Sequence, residues 1–277
     1  MREKSLHVSV EGPLLDTCGT GGDSSGTFNI STTSGFVVAG TGIKVAKHGN
    51  RAMSSASGSA DVLEELGVKI DLSPKGVQQC LNEVGFGFMF AQIFHPSMRF
   101  AAGPRKEIGI RTVFNMLGPL TNPAGATSQL IGVSNSKTGE LIANVLNKLG
   151  SSHALVVHGA DGLDEVTLED FTYIWELNNG SVSAYTITPE ELHLERIKRQ
   201  DILAANTKES ARMVQEVLQG QVSPARKIVL ANAASALLAG DHVTSLKEGI
   251  VVAAESIDSG AAKNKLDALI ELSLKLE

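Results

Sequence analysis

Residues 129–157 read QLIGVSNSKTGELIANVLNKLGSSHALVV, and this stretch decides the fold of the chain. Apolar runs at 129–133 and 152–157 predict two strands, and the segment 137–149 between them predicts a helix. Two strands joined through a helix by short links are typical of a βαβ crossover, in which the strands run parallel.

The same alternation extends upstream, and the pattern changes downstream. Before residue 129 the sequence predicts strands at 13–18, 43–46 and 68–72, helices at 30–39 and 60–66, and another helix that begins at Ser73-Pro74. Runs at 171–176 and 181–188 around Asn178-Asn-Gly180 predict an antiparallel hairpin, and the pattern after Thr188 is almost wholly helical. We therefore predict an α/β protein with a mostly parallel central sheet flanked by helices.

Composition excludes several classes of protein. The 277 residues carry 24 basic and 30 acidic side chains, and a net charge of −6 disfavours a nucleic-acid binder. With 42% hydrophobic and 19% charged residues the chain is too apolar to be disordered, yet it has no apolar run of about 20 residues for a membrane span. Its two cysteines, Cys18 and Cys80, are too few for a disulfide framework and lack metal-ligand spacing. We expect a soluble cytoplasmic protein.

Two glycine-containing segments indicate phosphate binding. Gly19-Thr-Gly-Gly-Asp23 lies between a predicted strand and the helix start at Asn29-Ile-Ser-Thr32, where main-chain N–H groups can converge on an anion. The segment 47–55, followed by Ser59, concentrates two basic residues, a histidine, an amide and hydroxyls after another strand. Ordinary turns and helix caps are the alternative for each segment alone. Two such loops in one domain suggest a ligand with two separated phosphate groups.

Acidic and basic residues elsewhere extend this hypothesis. Adjacent Asp164 and Glu165 can both face an anionic ligand only if a cation intervenes, and hard oxygen donors beside phosphate are typical of Mg²⁺ sites. An acidic surface turn is the alternative. Arg105 or Arg111 could hold a carboxylate bidentately.

Seven colinear motifs together resemble the anthranilate phosphoribosyltransferases. They are Asp16-Thr-Cys-Gly-Thr-Gly-Gly-Asp23, Asn29-Ile-Ser-Thr32, Lys47-His-Gly-Asn-Arg51, Gly58-Ser-Ala-Asp-Val-Leu63, Arg105 with Arg111-Thr-Val-Phe-Asn115, Leu117-Gly-Pro-Leu-Thr-Asn-Pro123, and Asp161-Gly-Leu-Asp-Glu165. The resemblance runs from about Met1 through the C-terminal helices. It implies the fold shared by nucleoside phosphorylases and these phosphoribosyltransferases.

The resemblance also implies a reaction and its ligands. Phosphoribose would pass from phosphoribosyl pyrophosphate (PRPP) to the amino group of anthranilate, in tryptophan biosynthesis, with Mg²⁺ held by Ser31, Asp164 and Glu165. Anthranilate would contact Gly19, Asn50 and Arg105. By the same resemblance the PRPP contacts are Gly19, Gly22, Asp23, Thr27, Asn29, Ile30, Ser31, Thr32, Lys47, His48, Gly49, Asn50, Arg51, Ala52, Met53, Ser54, Ser55 and Ser59. We assign no general base; His48 and His95 are candidates for contacting the amine.

The chain departs from the family pattern at its N-terminus. Relatives begin with a small helical segment that contributes to a homodimer interface, and we expect it to be largely missing here. Residues 1–12 would be its remnant and 13–277 the α/β domain, with helices at about 94–117 that pack on the small domain in the family. Two alternatives stay open: a pyrimidine nucleoside phosphorylase-like enzyme, and a catalytically silent PRPP- or nucleotide-binding protein.

Overall fold

A twisted seven-stranded sheet forms the centre of the molecule. The computed structural model describes residues 1–52, 57–101, 107 and 113–276, with the side chain of Asn115 outside that description. The sheet has the order β3-β2-β1-β4-β5-β6-β7, in which β1 to β5 pair in parallel and β6 and β7 pair antiparallel. The strands are β1 (Leu14–Gly19), β2 (Lys44–Gly49), β3 (Phe86–Phe90), β4 (Ser128–Gly132), β5 (His153–Gly159), β6 (Thr172–Asn178) and β7 (Ser181–Ile187).

Helices cover both faces of this sheet. Those in the described ranges are α1 (Ile30–Gly40), α2 (Ser59–Glu65), α3 (Pro74–Glu83), α4 (Ala91–Phe94), α5 (Phe114–Leu117), α6 (Gly139–Lys148), α7 (Thr207–Leu218), α8 (Pro224–Ala239), α9 (Leu246–Asp258) and α10 (Ala261–Ser273). None of them is long and apolar enough to cross a bilayer. Two apolar clusters form the core, the smaller of which lies between α6 and the β4–β5 part of the sheet.

The predicted βαβ crossover and hairpin are both present. β4 and β5 pair in parallel from Ser128↔His153 to Gly132↔Val157, and α6 connects them. In the hairpin Asn179 and Gly180 have φ of 46° and 87°, the left-handed conformations that a two-residue turn requires. The α/β class and the mostly parallel sheet are therefore confirmed.

Two local predictions are wrong, and one strand was not predicted. The segment 68–72 is not a strand: its alternating residues Val68, Ile70 and Leu72 are buried, but no strand in the described ranges pairs with them. The parallel edge strand is instead β3, whose continuous apolar run the alternation rule does not find. Residues 188–206 are not helical apart from the 3₁₀ turn Arg199–Ile202, so the C-terminal helices begin only at α7.

The N-terminal residues lie against the α/β domain. After one 3₁₀ turn at Arg2–Lys4 the backbone of Leu6 donates to Phe94 O (2.9 Å) and that of Val8 to Pro123 O (3.2 Å). Within 94–117, where helices were predicted, the described residues include a 3₁₀ turn at Pro96–Met98 and α5, α4 ends at Phe94, and most of the residues between the turn and α5 lie outside the described ranges.

A polar cluster around the buried His153 lies at the amino end of β5, away from the carboxyl edge. His153 contacts Asp241 through Nδ1 (2.6 Å) and Glu176 through Nε2 (3.0 Å), and Tyr185 donates to the same Glu176 (2.8 Å). Burial disfavours the charged imidazole, but the two carboxylates outweigh burial and raise the pKa of His153. The cluster ties the loop after α8 to the β6–β7 hairpin.

Candidate active site

The loops that follow neighbouring parallel strands meet at one edge of the sheet. β1 lies between β2 and β4 in the sheet, and all three run in the same direction. Their carboxyl ends therefore deliver the Gly-rich loop 19–26, the segment from Gly49 onward and the chain after Gly132 to the same place. The acidic turn after β5 joins them there.

The Gly-rich loop uses left-handed backbone conformations that favour glycine. Gly21, Gly22, Ser24 and Gly26 have φ between 55° and 80°. The loop also contacts its neighbours: Thr20 N donates to Gly132 O (2.8 Å) at the end of β4. Phosphate binding by this loop stays a prediction. Thr27, farther along, pairs with Leu203 in an isolated bridge.

The first turn of α1 follows directly and is capped by Asn29. The Asn29 side chain accepts from Thr32 N (3.0 Å), and its own backbone N–H donates to the hydroxyl of Ser210 (3.0 Å). Ile30 and the side chain of Thr32 are buried, so a ligand would meet these two residues through backbone rather than side chain. The Ser31 hydroxyl is partly exposed at the helix start.

Lys47 is a buried cation behind this helix start. Its ammonium donates to Thr17 O, and it lies 3.2 Å from the Ser31 hydroxyl and 3.4 Å from Thr17 Oγ1. Burial lowers its pKa, whereas the negative charges of Asp16 and Glu165 oppose that shift. The ammonium therefore positions Ser31 and balances nearby carboxylates, and it does not extend into solvent as a loop lysine would.

Asp16 and Asn122 form a connection that sequence reasoning missed. Asp16 accepts from His48 N (3.1 Å) and from the Asn122 amide (2.7 Å), which also donates to Ala46 O (2.8 Å). Burial raises the pKa of Asp16 to about 6 against the opposing effect of Lys47. The available signal was an acidic residue inside a strand that is otherwise apolar.

His48 and His95 are adjacent, although 46 positions separate them in sequence. Their ring centroids are 4.9 Å apart with the planes inclined by 63°, and both side chains are buried. Burial and the neighbouring imidazole lower the pKa of His48 to about 3, and burial also lowers the pKa of His95. Both rings are therefore neutral at pH 7.

Asp61 links Ala52 and Gly58, the described residues on either side of 53–56. Its carboxylate accepts from Ala52 N and Gly58 N, each at 2.9 Å, and also pairs with Arg51. A Cβ on Gly49 would lie 2.1 Å from the Ser59 hydroxyl, so this glycine permits the strand end and α2 to touch.

Predicted contacts in the segment that follows β2 already have partners within the protein, and others lie outside the described residues. Arg51 is paired with Asp61 and Glu64, so its guanidinium is already occupied by carboxylates. The carbonyl of Asn50 accepts from Ala60 N (3.2 Å). The predicted contacts Met53, Ser54, Ser55 and Arg105 lie outside the described residues.

The acidic pair lies against the Gly-rich loop. Gly21 N donates to Asp164 Oδ2 (3.1 Å), and Asp164 N lies 3.5 Å from Asp23 Oδ2. Burial, followed by the charge of Asp23, raises the pKa of Asp164; burial and the charge of Asp164 raise the pKa of Glu165 well above its ordinary value. These crowded carboxyl oxygens favour a cation nearby.

The protein groups alone do not complete a metal site. Within the described ranges, no set of three or more His, Cys, Asp or Glu side chains is arranged to hold a metal ion. A divalent cation beside Asp164 and Glu165 would therefore need oxygen ligands from elsewhere, as Mg²⁺ does when it bridges carboxylates and substrate phosphates.

Comparison with known proteins agrees with this architecture. Residues 11–263 match the model of the glycosyl transferase family, a/b domain, so the chain belongs to a family of glycosyl-transferring enzymes. The anthranilate phosphoribosyltransferases of Symbiobacterium thermophilum and Moorella thermoacetica are 51% and 52% identical to this chain. Those alignments cover 100% and 98% of the chain and 81% and 80% of the relatives. The chain belongs to the anthranilate phosphoribosyltransferase family, which confirms the resemblance.

Solved structures of the family superimpose closely. The crystal structure of the Thermus thermophilus enzyme is 41% identical, with a TM-score of 0.93 over 99% of this chain and 82% of that one. The Saccharomyces cerevisiae enzyme in complex with PRPP and Mg is 32% identical, with a TM-score of 0.91 over 99% of this chain and 77% of that one.

Proposed function

We propose that this protein transfers the phosphoribosyl group of PRPP to the amino group of anthranilate, releasing pyrophosphate. The observation that carries the proposal is the contact between the Gly-rich loop and the acidic pair, through Gly21 N and Asp164. It unites an anion-binding backbone with oxygen donors for a cation, which is the combination that a diphosphate leaving group needs. Family membership supports the same reaction.

PRPP would lie along the carboxyl edge, with its phosphate groups at the two backbone loops. The proposed contacts come from the Gly-rich loop, the first turn of α1 and the segment that follows β2. They are Gly19, Gly22, Asp23, Thr27, Asn29, Ile30, Ser31, Thr32, Lys47, His48, Gly49, Asn50, Arg51, Ala52, Met53, Ser54, Ser55 and Ser59. The side chains of Ile30 and Thr32 are buried, so Ile30 would act through its backbone, whereas the Thr32 N–H already donates to the Asn29 side chain.

Mg²⁺ fits the chemistry of the acidic pair. Asp164 and Glu165 offer hard oxygen donors whose pKa values are raised by burial and by neighbouring acidic groups, and the Ser31 hydroxyl is the third proposed ligand. When bound, Mg²⁺ supplies charge neutralisation of the departing pyrophosphate. The yeast relative, whose structure contains PRPP and Mg, supports this choice of ion.

The acceptor side requires positioning more than proton transfer. We propose that Gly19, Asn50 and Arg105 contact anthranilate, with Arg105 taking the carboxylate. The amine is already a nucleophile, so in-line positioning supplies much of the acceleration and no general base is assigned. His48 and His95, as neutral imidazoles, can hydrogen-bond to an amine without repelling the positive charge that develops on it.

Organisation and location follow the family in this proposal. We place the α/β domain at 13–277, after a short N-terminal segment 1–12, and assign residues at about 94–117 to packing on a small helical domain. A homodimer is proposed on the same basis, as is a cytoplasmic location.

A fluorescence assay for anthranilate consumption tests the function. Loss of fluorescence that requires both PRPP and Mg²⁺ is the expected result. Phosphorolysis of thymidine or uridine without a PRPP-dependent reaction would instead identify a nucleoside phosphorylase. Mg²⁺-dependent PRPP binding without product would identify a silent binding protein.

Arg105→Ala tests the acceptor assignment in the same assay. We expect it to raise the anthranilate KM by the equivalent of about 1.5–3 kcal/mol, the contribution of a charged hydrogen bond. An equal loss of PRPP affinity would show that Arg105 has been assigned to the wrong substrate.

A further inference from the structure

A buried asparagine in helix α8 binds the backbone of the acidic turn. Asn232 is fully buried, accepts from Val166 N (2.9 Å) and donates to Val166 O (3.0 Å). Its second amide hydrogen goes to Ile228 O (2.9 Å), so both N–H groups are used. The side chain thus pairs with Val166 as a neighbouring strand would.

Placing the Asn232 side chain in the middle of α8 costs free energy, and helix formation alone gives no reason for an asparagine there. Asparagine is a weak helix former, and Asn232 lies in the middle of a helix whose neighbours Ala231 and Ala233 are also fully buried. Each of its polar groups would be costly to leave unpaired in that environment. Two of the three hydrogen bonds that offset the cost lie outside the helix, on the backbone of Val166.

Val166 follows Glu165 directly, so its position sets that of the acidic pair. Leu163 and Val166 are buried on either side of Asp164 and Glu165. On the opposite side, the Asp164 carbonyl packs so closely on Gly132 that a Cβ there would lie 1.5 Å from its oxygen. The turn is therefore held between the end of β4 and the Asn232 amide.

We propose that Asn232 is a positioning residue that fixes the Asp164–Glu165 turn for divalent cation and substrate binding. The role of Asp164 and Glu165 as metal ligands rests on the proposed function. The claim that Asn232 holds the turn in place does not, because the hydrogen bonds to Val166 are made by the protein alone. Partners that orient metal ligands typically change metal affinity by 10- to 100-fold when they are removed.

The first experiment measures the turn itself, without ligands. Hydrogen–deuterium exchange of the peptide covering 160–168 should be faster in Asn232→Ala than in wild type, because Val166 N–H loses its acceptor. The matched control is Ser235→Ala, which removes another buried polar side chain of α8, one that donates to Ala231 O in its own helix (2.9 Å). This control should leave exchange at 160–168 unchanged.

The second experiment measures binding. Mn²⁺ replaces Mg²⁺ as an electron paramagnetic resonance probe, titrated in the presence of PRPP. Asn232→Ala should weaken Mn²⁺ binding by about 10-fold and raise the PRPP KM, whereas the anthranilate KM should change little. Ser235→Ala should bind Mn²⁺ as wild type does.

Asn232→Asp provides a rescue test and a substitute if the alanine variant does not fold. Its carboxylate keeps the acceptor for Val166 N but repels Val166 O, whereas the protonated carboxyl restores both bonds. The ratio of its Mn²⁺ affinity to that of wild type should therefore rise toward one as the pH is lowered.

Distinct outcomes separate the two claims. Unchanged exchange at 160–168 in the Asn232 variants, or faster exchange with undiminished Mn²⁺ affinity, would overturn the positioning role. A wild-type protein that binds PRPP and Mn²⁺ but makes no product would overturn the proposed reaction while leaving the positioning result intact.

Discussion

The contact between Gly132 and Asp164 makes Gly132→Ala the most demanding test of the site. A Cβ at Gly132 would lie 1.5 Å from Asp164 O and 2.5 Å from its carbonyl carbon. Because an ordinary carbon-to-oxygen contact is about 3.3 Å, the turn would have to move away by roughly 2 Å. Misplacement of reacting groups by about 1 Å can lower a rate by about 100-fold, so we expect kcat/KM to fall at least that far.

The assay is steady-state consumption of anthranilate at saturating Mg²⁺, with the thermal midpoint measured in parallel. Gly139→Ala is the matched control, since its Cβ would lie 2.1 Å from the Trp175 ring, a comparable clash on α6. It should lower the Tm and leave the kcat/KM of the folded enzyme near the wild-type value. A folded Gly132→Ala enzyme with kcat/KM within about 3-fold of wild type would refute the reasoning that the turn must sit against β4.

Three further predictions concern charges that the structure buries or pairs. Lys47→Met should lower PRPP affinity in an equilibrium titration, because the first turn of α1 loses its supporting ammonium and nearby carboxylates lose their counter-charge. Lys47→Arg should not restore the PRPP affinity, because the guanidinium is too large for the buried space. His153 has a raised pKa, so its stabilising contribution is complete below about pH 6.5 and is lost as the pH rises through the folded-state value. The difference in Tm between wild type and His153→Gln should accordingly narrow as the pH rises above about 6.5, and a constant difference would contradict this assignment. Asp61→Ala should lower the free energy of unfolding by about 1 kcal/mol in urea titrations, because Ala52 N and Gly58 N lose their common acceptor. The same substitution should raise the PRPP KM. An unchanged PRPP KM would show that this loop is not part of the binding site.

The sequence was sufficient to predict the secondary-structure elements that depend on short-range patterns. The βαβ unit from β4 to β5 and the Asn-Gly hairpin depend on short-range signals, namely helical periodicity and a turn that needs two left-handed residues. The strand prediction for 68–72 was wrong because alternation of apolar and polar residues indicates one buried face, and not that a neighbouring strand is present to form hydrogen bonds. β3 was missed for the converse reason, since Phe86–Phe90 is buried on both faces and does not alternate.

The site shows a similar division between local and long-range information. The Gly-rich loop and the acidic pair were recognisable from composition, and parallel strands bring them together. The Asp16–Asn122 bond joins positions 106 apart, and the Asn232–Val166 pair joins positions 66 apart. Such pairs follow from how α8 and the loop before β4 pack on the sheet, which no local pattern in a single sequence specifies.

The charges at the carboxyl edge explain why a cation and a phosphorylated ligand should bind together. Lys47 is the buried positive charge in the described part of this edge, whereas Asp23, Asp164 and Glu165 crowd their carboxyl groups on the side of the Gly-rich loop. A polyanionic ligand would be repelled by ionised acids, and burial makes that ionisation costly, as the raised pKa values of Asp164 and Glu165 indicate. Mg²⁺ held by Asp164 and Glu165 would remove both penalties, because its charge would stabilise the carboxylates and screen the phosphates of the ligand from them.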